Sequence, residues 1–160
     1  MRGMADRRPP RSVAGERETL VSLLQFQRES LVRKVAGVGP AEAVASPVAS
    51  GTSLLWLVKH LTWAELAWFR WRVMGEDIEL PDDEVAEGDT IEAAVVDYQA
   101  AWERVAPVLA EGDLDAVMLR DDGQPPCNLR FVIGHMVEET ARHAGHADIL
   151  REMIDGATGR

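Results

Sequence analysis

The chain has 160 residues, 46% of them hydrophobic and 28% charged, which suffices for one buried core and leaves too little for two comfortable domains. A formal charge of −10 argues against nucleic acid as a partner, because phosphate binding needs a basic surface. A single cysteine, Cys127, excludes an intrachain disulfide framework, and the lack of an apolar run of about 18 residues or of a secretory-signal pattern leads us to expect a cytoplasmic protein with no membrane partner.

In chain order, residues 1–11 (MRGMADRRPPR) are basic, contain prolines and lack an apolar period, so they read as a disordered tail ahead of a single domain over residues 12–160. From about Ser12 to Ala36, Leu20, Leu23, Leu24, Leu31 and Val35 recur at helical spacing, with Glu18, Ser22, Gln25, Glu29 and Arg33 on the other face. This predicts helix one, ended by Gly37, Gly39 and Pro40, then a loop to Ser50 with at most one short turn. Ser50 to Met74 predicts helix two, with Ser50 or Thr52 as cap and Gly75 as stop. On it His60 shares a face with Trp56, Trp63, Ala64 and Ala67, a burying stripe whose small residues would let a neighbouring helix approach.

Gly75 to Asp89 is acidic and contains a proline; it reads as a solvated connection and lacks the ligand spacing of a calcium loop. Thr90 to about Leu109 predicts helix three, capped by Asp89 or Thr90, with Pro107 expected to kink or end it. Between Gly112 and Pro126 a β-compatible run, Ala116 to Arg120, precedes an Asp-Gly turn signal, which predicts a small hairpin or an extended crossover. Cys127 or Asn128 then caps helix four, which runs to about Gly156. Four amphipathic helices with long connections predict an all-α four-helix bundle.

Helix four carries the chemistry. At about 100° per residue, Val132, Glu139, His143 and Leu150 fall within about 40° of one another, flanked by Met136, Ala147 and Ile154 on one side and His135 and His146 on the other. A core-facing stripe thus has a carboxylate and an imidazole at its centre. Each costs several kcal/mol to bury, on the order expected for buried ions, unless it is paired, hydrogen-bonded or bound to a metal. Glu139 and His143, at i and i+4, can reach one point beside the helix, and His146 could also reach it. Two ligands leave a divalent ion under-coordinated; the natural third is an imidazole from a facing helix, and His60 is the one histidine outside this stretch. A satisfied polar network would explain the same spacing.

His135 suits a hydrogen-bonded structural role or a substrate contact, and Trp56 and Trp63 either fill the core or line a cavity beside His60. Glu65, about 140° from His60, is better read as half of an ion pair than as a ligand. Cys127 has no basic partner nearby in sequence and reads as buried or capping rather than nucleophilic. Arg142, Asp148 and Arg151 read as solvated or inter-helix charges.

The segments HLTWAELAWF around His60 and EETARHAGHADILREMIDGATG near the C-terminus resemble the DinB/YfiT-like superfamily of metalloenzymes, most of all its actinobacterial subset associated with mycothiol-dependent chemistry. The resemblance runs from helix one to Gly159. It implies a four-helix bundle holding a divalent metal, commonly zinc but also nickel or iron, on a histidine of helix two and two ligands one turn apart on helix four. Carried onto this sequence, those are His60, Glu139 and His143. Many relatives have histidine where Glu139 stands, whereas the mycothiol-dependent isomerases resemble this chain in having glutamate; the difference leaves the metal open and keeps His146 as an alternative ligand.

Three protein ligands and one exchangeable position are the arrangement of a catalytic rather than a structural zinc. The expected function is therefore a metal-dependent thiol S-transferase, in which a mycothiol-like thiol is activated for attack on a small electrophile in detoxification or stress response, with no residue of the chain as nucleophile. Two other readings stay open: a non-catalytic metal-binding stress or interaction protein, and a metal-assisted hydrolase. Either a monomer or a homodimer is compatible with the sequence.

Overall fold

The computed structural model describes residues 7–158. Residues 1–6 of the expected tail and the final two residues lie outside them; residues 7–11 carry no regular structure. The order is α1 (Glu16–Val35), a single turn α2 (Pro40–Val44), α3 (Leu54–Glu65) running directly into a π-helical stretch (Leu66–Val73), α4 (Ile91–Glu111) and α5 (Leu129–Asp155). The fold is an all-α bundle, as predicted.

The helix boundaries follow from local chemistry. α1 begins later than expected, at Glu16, with Glu16 and Glu18 in its first turn and Arg33 and Lys34 in its last, the charge order a helix dipole favours. Ser53, rather than Ser50 or Thr52, caps α3: its Oγ accepts from the Trp56 N–H at 3.2 Å, while the Ser50 and Thr52 hydroxyls bond each other at 2.9 Å. Gly51, at φ +79°, turns the chain just before this cap, which keeps Ser50 outside the helix. Thr90 Oγ1 caps α4 through the Ala93 N–H, and Asn128 Oδ1 caps α5 through the Phe131 N–H at 2.9 Å. Replacing Asn128 by alanine should destabilise the protein by about 1 kcal/mol, read as a lowered urea midpoint at unchanged slope.

One expectation is corrected and two are narrowed to one of their alternatives. Helix two is not one uniform α-helix from Ser50 to Met74; after Glu65 it widens to π geometry and ends with the Met74 N–H bonded to the Phe69 carbonyl at 3.3 Å. α4 does not end at Pro107 but continues to Glu111. Pro107 lies on the exposed face of the helix, as does Glu103 one turn earlier, while buried Val108 and Leu109 hold the last turn against the core. Of the two alternatives after Gly112, the extended crossover forms: the run makes one antiparallel bridge, Val117 to Asn128, and otherwise crosses back to the end of the π-helical stretch. There the Leu119 and Arg120 N–H groups donate to the Val73 and Arg72 carbonyls at 3.2 and 3.1 Å, and the Arg120 guanidinium donates to the carbonyls of Trp71, Gly75 and Glu76. A helix end leaves carbonyls without partners, and this segment supplies them.

Leu24, Leu31, Leu57, Leu61, Phe69, Tyr98, Val105, Val132 and Met136 are at the centre of one continuous apolar core. α1 packs chiefly on α5 and α3 chiefly on α4. Lys34 pairs with Asp148, and Arg151 donates to the carbonyls of Lys34 and Ala36 at 2.6 and 3.0 Å, so two of the charges expected between helices do bridge α5 to the end of α1. Arg142 pairs with Glu138 on the surface of α5 itself.

Glu65 is half of a buried ion pair. Arg28 of α1 donates Nε to Oε1 at 2.7 Å and Nη2 to Oε2 at 2.6 Å, with the two side chains 4% and 0% exposed. The guanidinium also lies over the Trp102 ring at 5.6 Å. Burial, and then the Glu65 carboxylate, push the Tyr98 phenol far above its ordinary value, so Tyr98 is a neutral member of the core. α3 meets α5 over a shorter stretch than it meets α4, and the cleft between α3 and α5 holds the polar cluster.

Candidate metal centre

On α3, Trp56, His60 and Trp63 stand at helical spacing on the face turned toward α5. The His60 ring lies between the two indoles, its centroid 4.7 Å from Trp56 at 16° and 5.9 Å from Trp63 at 24°. On α5, Glu139 and His143 are one turn apart and face this ring. Glu139 Oε1 is 3.3 Å from His60 Nε2 and 3.0 Å from His143 Nε2. One ligand atom from each of the three residues lies within 4.8 Å of the others, and the imidazole planes of His60 and His143 cross at 73°.

Two nitrogen lone pairs and a carboxylate oxygen aimed at one point repel each other unless a cation or shared protons lie between them. Two neutral imidazoles and one carboxylate form a donor set of the kind that suits a divalent transition metal, so the residues present fit the ion that the sequence resemblance implies. The electrostatics agree. Burial, the largest influence, together with small effects of His60 and His146, holds the His143 pKa below its ordinary value against the opposing pull of Glu139. For Glu139 burial alone would raise the pKa, but the hydrogen bonds and charges of His60 and His143 outweigh it and lower the net value.

Both depressions have the same consequence for the metal-free protein. The unfolded chain protonates each group at a higher pH than the folded one, so the stability these groups contribute is present above the ordinary imidazole pKa. It is lost as pH falls, first through the His143 window and then through that of Glu139. Urea midpoints of metal-free protein should therefore fall on acidification from neutral pH, and adding metal should steepen the fall because the ligands bind the ion only when deprotonated. A flat profile would contradict the assigned burial of His143.

The other sequence-derived candidates occupy different positions. His146 is exposed and does not join the cluster of three; its Nδ1 lies 3.3 Å from Nδ1 of His143, on the far side of that ring from Glu139. Beside it is a cavity of about 220 Å³ lined by Val48, Ser50, Thr52, His146, Ile149 and Leu150. His135, one turn before Glu139, is packed in an aromatic cluster, 4.6 Å from Trp68 and 6.1 Å from Phe131, with Nδ1 3.9 Å from a Glu138 oxygen. Trp56 also meets His143 edge-on at 6.0 Å. Cys127 is partly buried against the Met118 sulfur at 3.8 Å, and burial, then the Asp122 charge, raise its pKa, an environment that suppresses thiolate formation.

One residue at the cluster is absent from the reading of the sequence. Asp83, in the acidic connection taken for a solvated loop, accepts from His60 Nδ1 at 2.9 Å. Lys59, the neighbour of His60, holds the same loop through the Glu84 carbonyl and, at 2.5 Å, through Asp89. No spacing rule marks Asp83 among its acidic neighbours; the only local hint is a lysine adjacent to His60 that needs an anionic partner.

A family model described as mycothiol-S-transferase matches residues 19–156, a span from α1 through the end of α5 that includes His60, Glu139 and His143. No curated protein matches the chain.

Proposed function

Since the chain belongs to the mycothiol-S-transferase family, within the DinB/YfiT-like superfamily, we propose that it is a metal-dependent enzyme that transfers a mycothiol-like thiol to a small electrophile in detoxification or stress response. A single domain over residues 12–160 carries the activity. What supports this reading is the convergence of two imidazole Nε2 atoms and one carboxylate oxygen from α3 and α5.

His60, Glu139 and His143 hold the divalent ion, most naturally zinc. Bound there, the ion supplies the positive charge that lets a thiol lose its proton near neutral pH. Trp56 and Trp63 shield the His60 ring from water on both faces and keep its plane fixed. The thiol sulfur forms the new bond to the electrophilic carbon, the leaving group departs with its bonding electrons, and the thiol proton passes to solvent or to the exposed imidazole of His146. The apolar walls beside His146 offer room for a small uncharged electrophile.

Conjugation of a bimane electrophile by zinc-loaded protein, followed with and without mycothiol, tests this. We expect turnover that requires both metal and thiol. Metal-dependent turnover of ester or amide substrates without thiol would favour a hydrolase, and a stoichiometric metal complex that turns over nothing would favour a binding protein.

A further inference from the structure

We propose that Asp83 is a positioning residue for the metal centre: its carboxylate holds the His60 Nδ1–H and so directs Nε2 toward Glu139 and His143. The inference rests on the metal-centre reading above and assigns a role to a loop that neither the fold nor the family match singles out.

The two indoles leave one feature of the His60 ring undetermined. Stacking between Trp56 and Trp63 fixes the plane of the His60 ring, but a half-turn of the ring about its Cβ–Cγ bond preserves that plane and exchanges the edge facing α5. A directional hydrogen bond at Nδ1 removes this ambiguity, and the 2.9 Å contact with Asp83 Oδ2 is such a bond. It also selects the tautomer. An ionised carboxylate only accepts, so Nδ1 keeps its proton, and an ion that displaces the proton shared between Nε2 and Glu139 meets the Nε2 lone pair. Histidine ligands commonly have such an outer carboxylate, which orients the ring and raises its basicity.

The loop is built to deliver this group. Lys59 precedes His60 on α3 and clasps the Glu84 carbonyl and the Asp89 carboxylate, so the helix that carries the ligand also fixes the chain around Asp83. Next to Asp83, the Asp82 carboxylate accepts from the Glu84 N–H at 2.9 Å and closes a turn. The second imidazole is treated differently: His143 Nδ1 faces His146 rather than a carboxylate. The Asp83 side chain is 34% exposed, so shortening it leaves no buried void and separates orientation of His60 from folding.

The test compares the zinc affinity of full-length wild type, Asp83→Ala and Asp83→Asn by competition with a chromogenic chelator, alongside the thermal midpoint of each metal-free protein. We expect Asp83→Ala to bind zinc roughly 10- to 100-fold more weakly, the loss typical of an outer partner of a metal ligand. Asp83→Asn, which keeps an acceptor oxygen, should recover part of that affinity, and all three metal-free midpoints should agree. An alanine variant within twofold of wild type would overturn the proposal, as would a loss equally large in Asp83→Asn or one matched by a fall in the metal-free midpoint. Wild type that binds no zinc would instead overturn the metal reading itself.

Discussion

His143→Ala should lose stoichiometric metal and thiol transfer together while its helical circular dichroism stays near that of wild type. His143 contributes one of the two nitrogens within 4.8 Å of the third ligand atom, and without it a divalent ion keeps one imidazole and one carboxylate. Loss of an outer partner alone weakens such sites 10- to 100-fold, so losing a ligand should cost more than about 100-fold in affinity. The ring is buried against α3 and His146, but it lies at the edge of the cleft rather than in the leucine core, so the helices should survive its loss. Elemental analysis of untagged protein reads the outcome, and metal kept at full occupancy would remove His143 from the site. His60→Ala should behave alike. Glu139→Ala should weaken binding as well; an unchanged affinity there, with loss in His146→Ala, would transfer the role of Glu139 to His146.

The second large effect concerns stability. Glu65→Ala should cost roughly 3–5 kcal/mol, because it leaves the Arg28 guanidinium buried without its bidentate partner. For a domain with a total stability of about 5–15 kcal/mol this is a large fraction, and the urea midpoint should fall accordingly. Removing both charges together, as Arg28→Met with Glu65→Leu, should restore much of the loss, since a buried ion pair rarely outperforms apolar residues of similar volume. A Glu65→Ala variant destabilised by less than about 1 kcal/mol would mean that water reaches Arg28 and that the pair does not brace α1 against α3.

The three residues that converge in the candidate site were legible because helical spacing is a local property. A glutamate and a histidine one turn apart in the middle of an apolar stripe need compensation whatever the neighbours are, and the spacing of Trp56, His60 and Trp63 assigns them to one face before any partner helix is known. Thr90 and Asn128 were each legible as one of two neighbouring cap candidates, with Asp89 and Cys127 the others, because a cap and the N–H it accepts from are three residues apart. Glu65 was legible only as half of an ion pair; its partner Arg28 lies 37 residues away, and nothing local selects it.

Other features depend on contacts between distant segments. Leu66–Val73 carries the same apolar pattern as the turn before it, so its π register was not legible in composition; the carbonyls at its end are satisfied by Leu119 and Arg120 from another part of the chain. The course of α4 past Pro107 depends on Val108 and Leu109 finding the core. Asp83 is one carboxylate among several in an acidic stretch, and it becomes distinct only when that stretch folds over α3 and meets His60. His146 could reach the ligand point by spacing alone, yet its observed rotamer turns it to the far nitrogen of His143. Period and capping act over a few residues, and they were enough to mark the four long helical segments, the faces they bury and the polar residues those faces cannot bury unaided. Tertiary structure alone decided which loop carboxylate supports His60, which arginine neutralises Glu65 and which face of His143 meets His146, because those choices rest on distances between segments far apart in the chain.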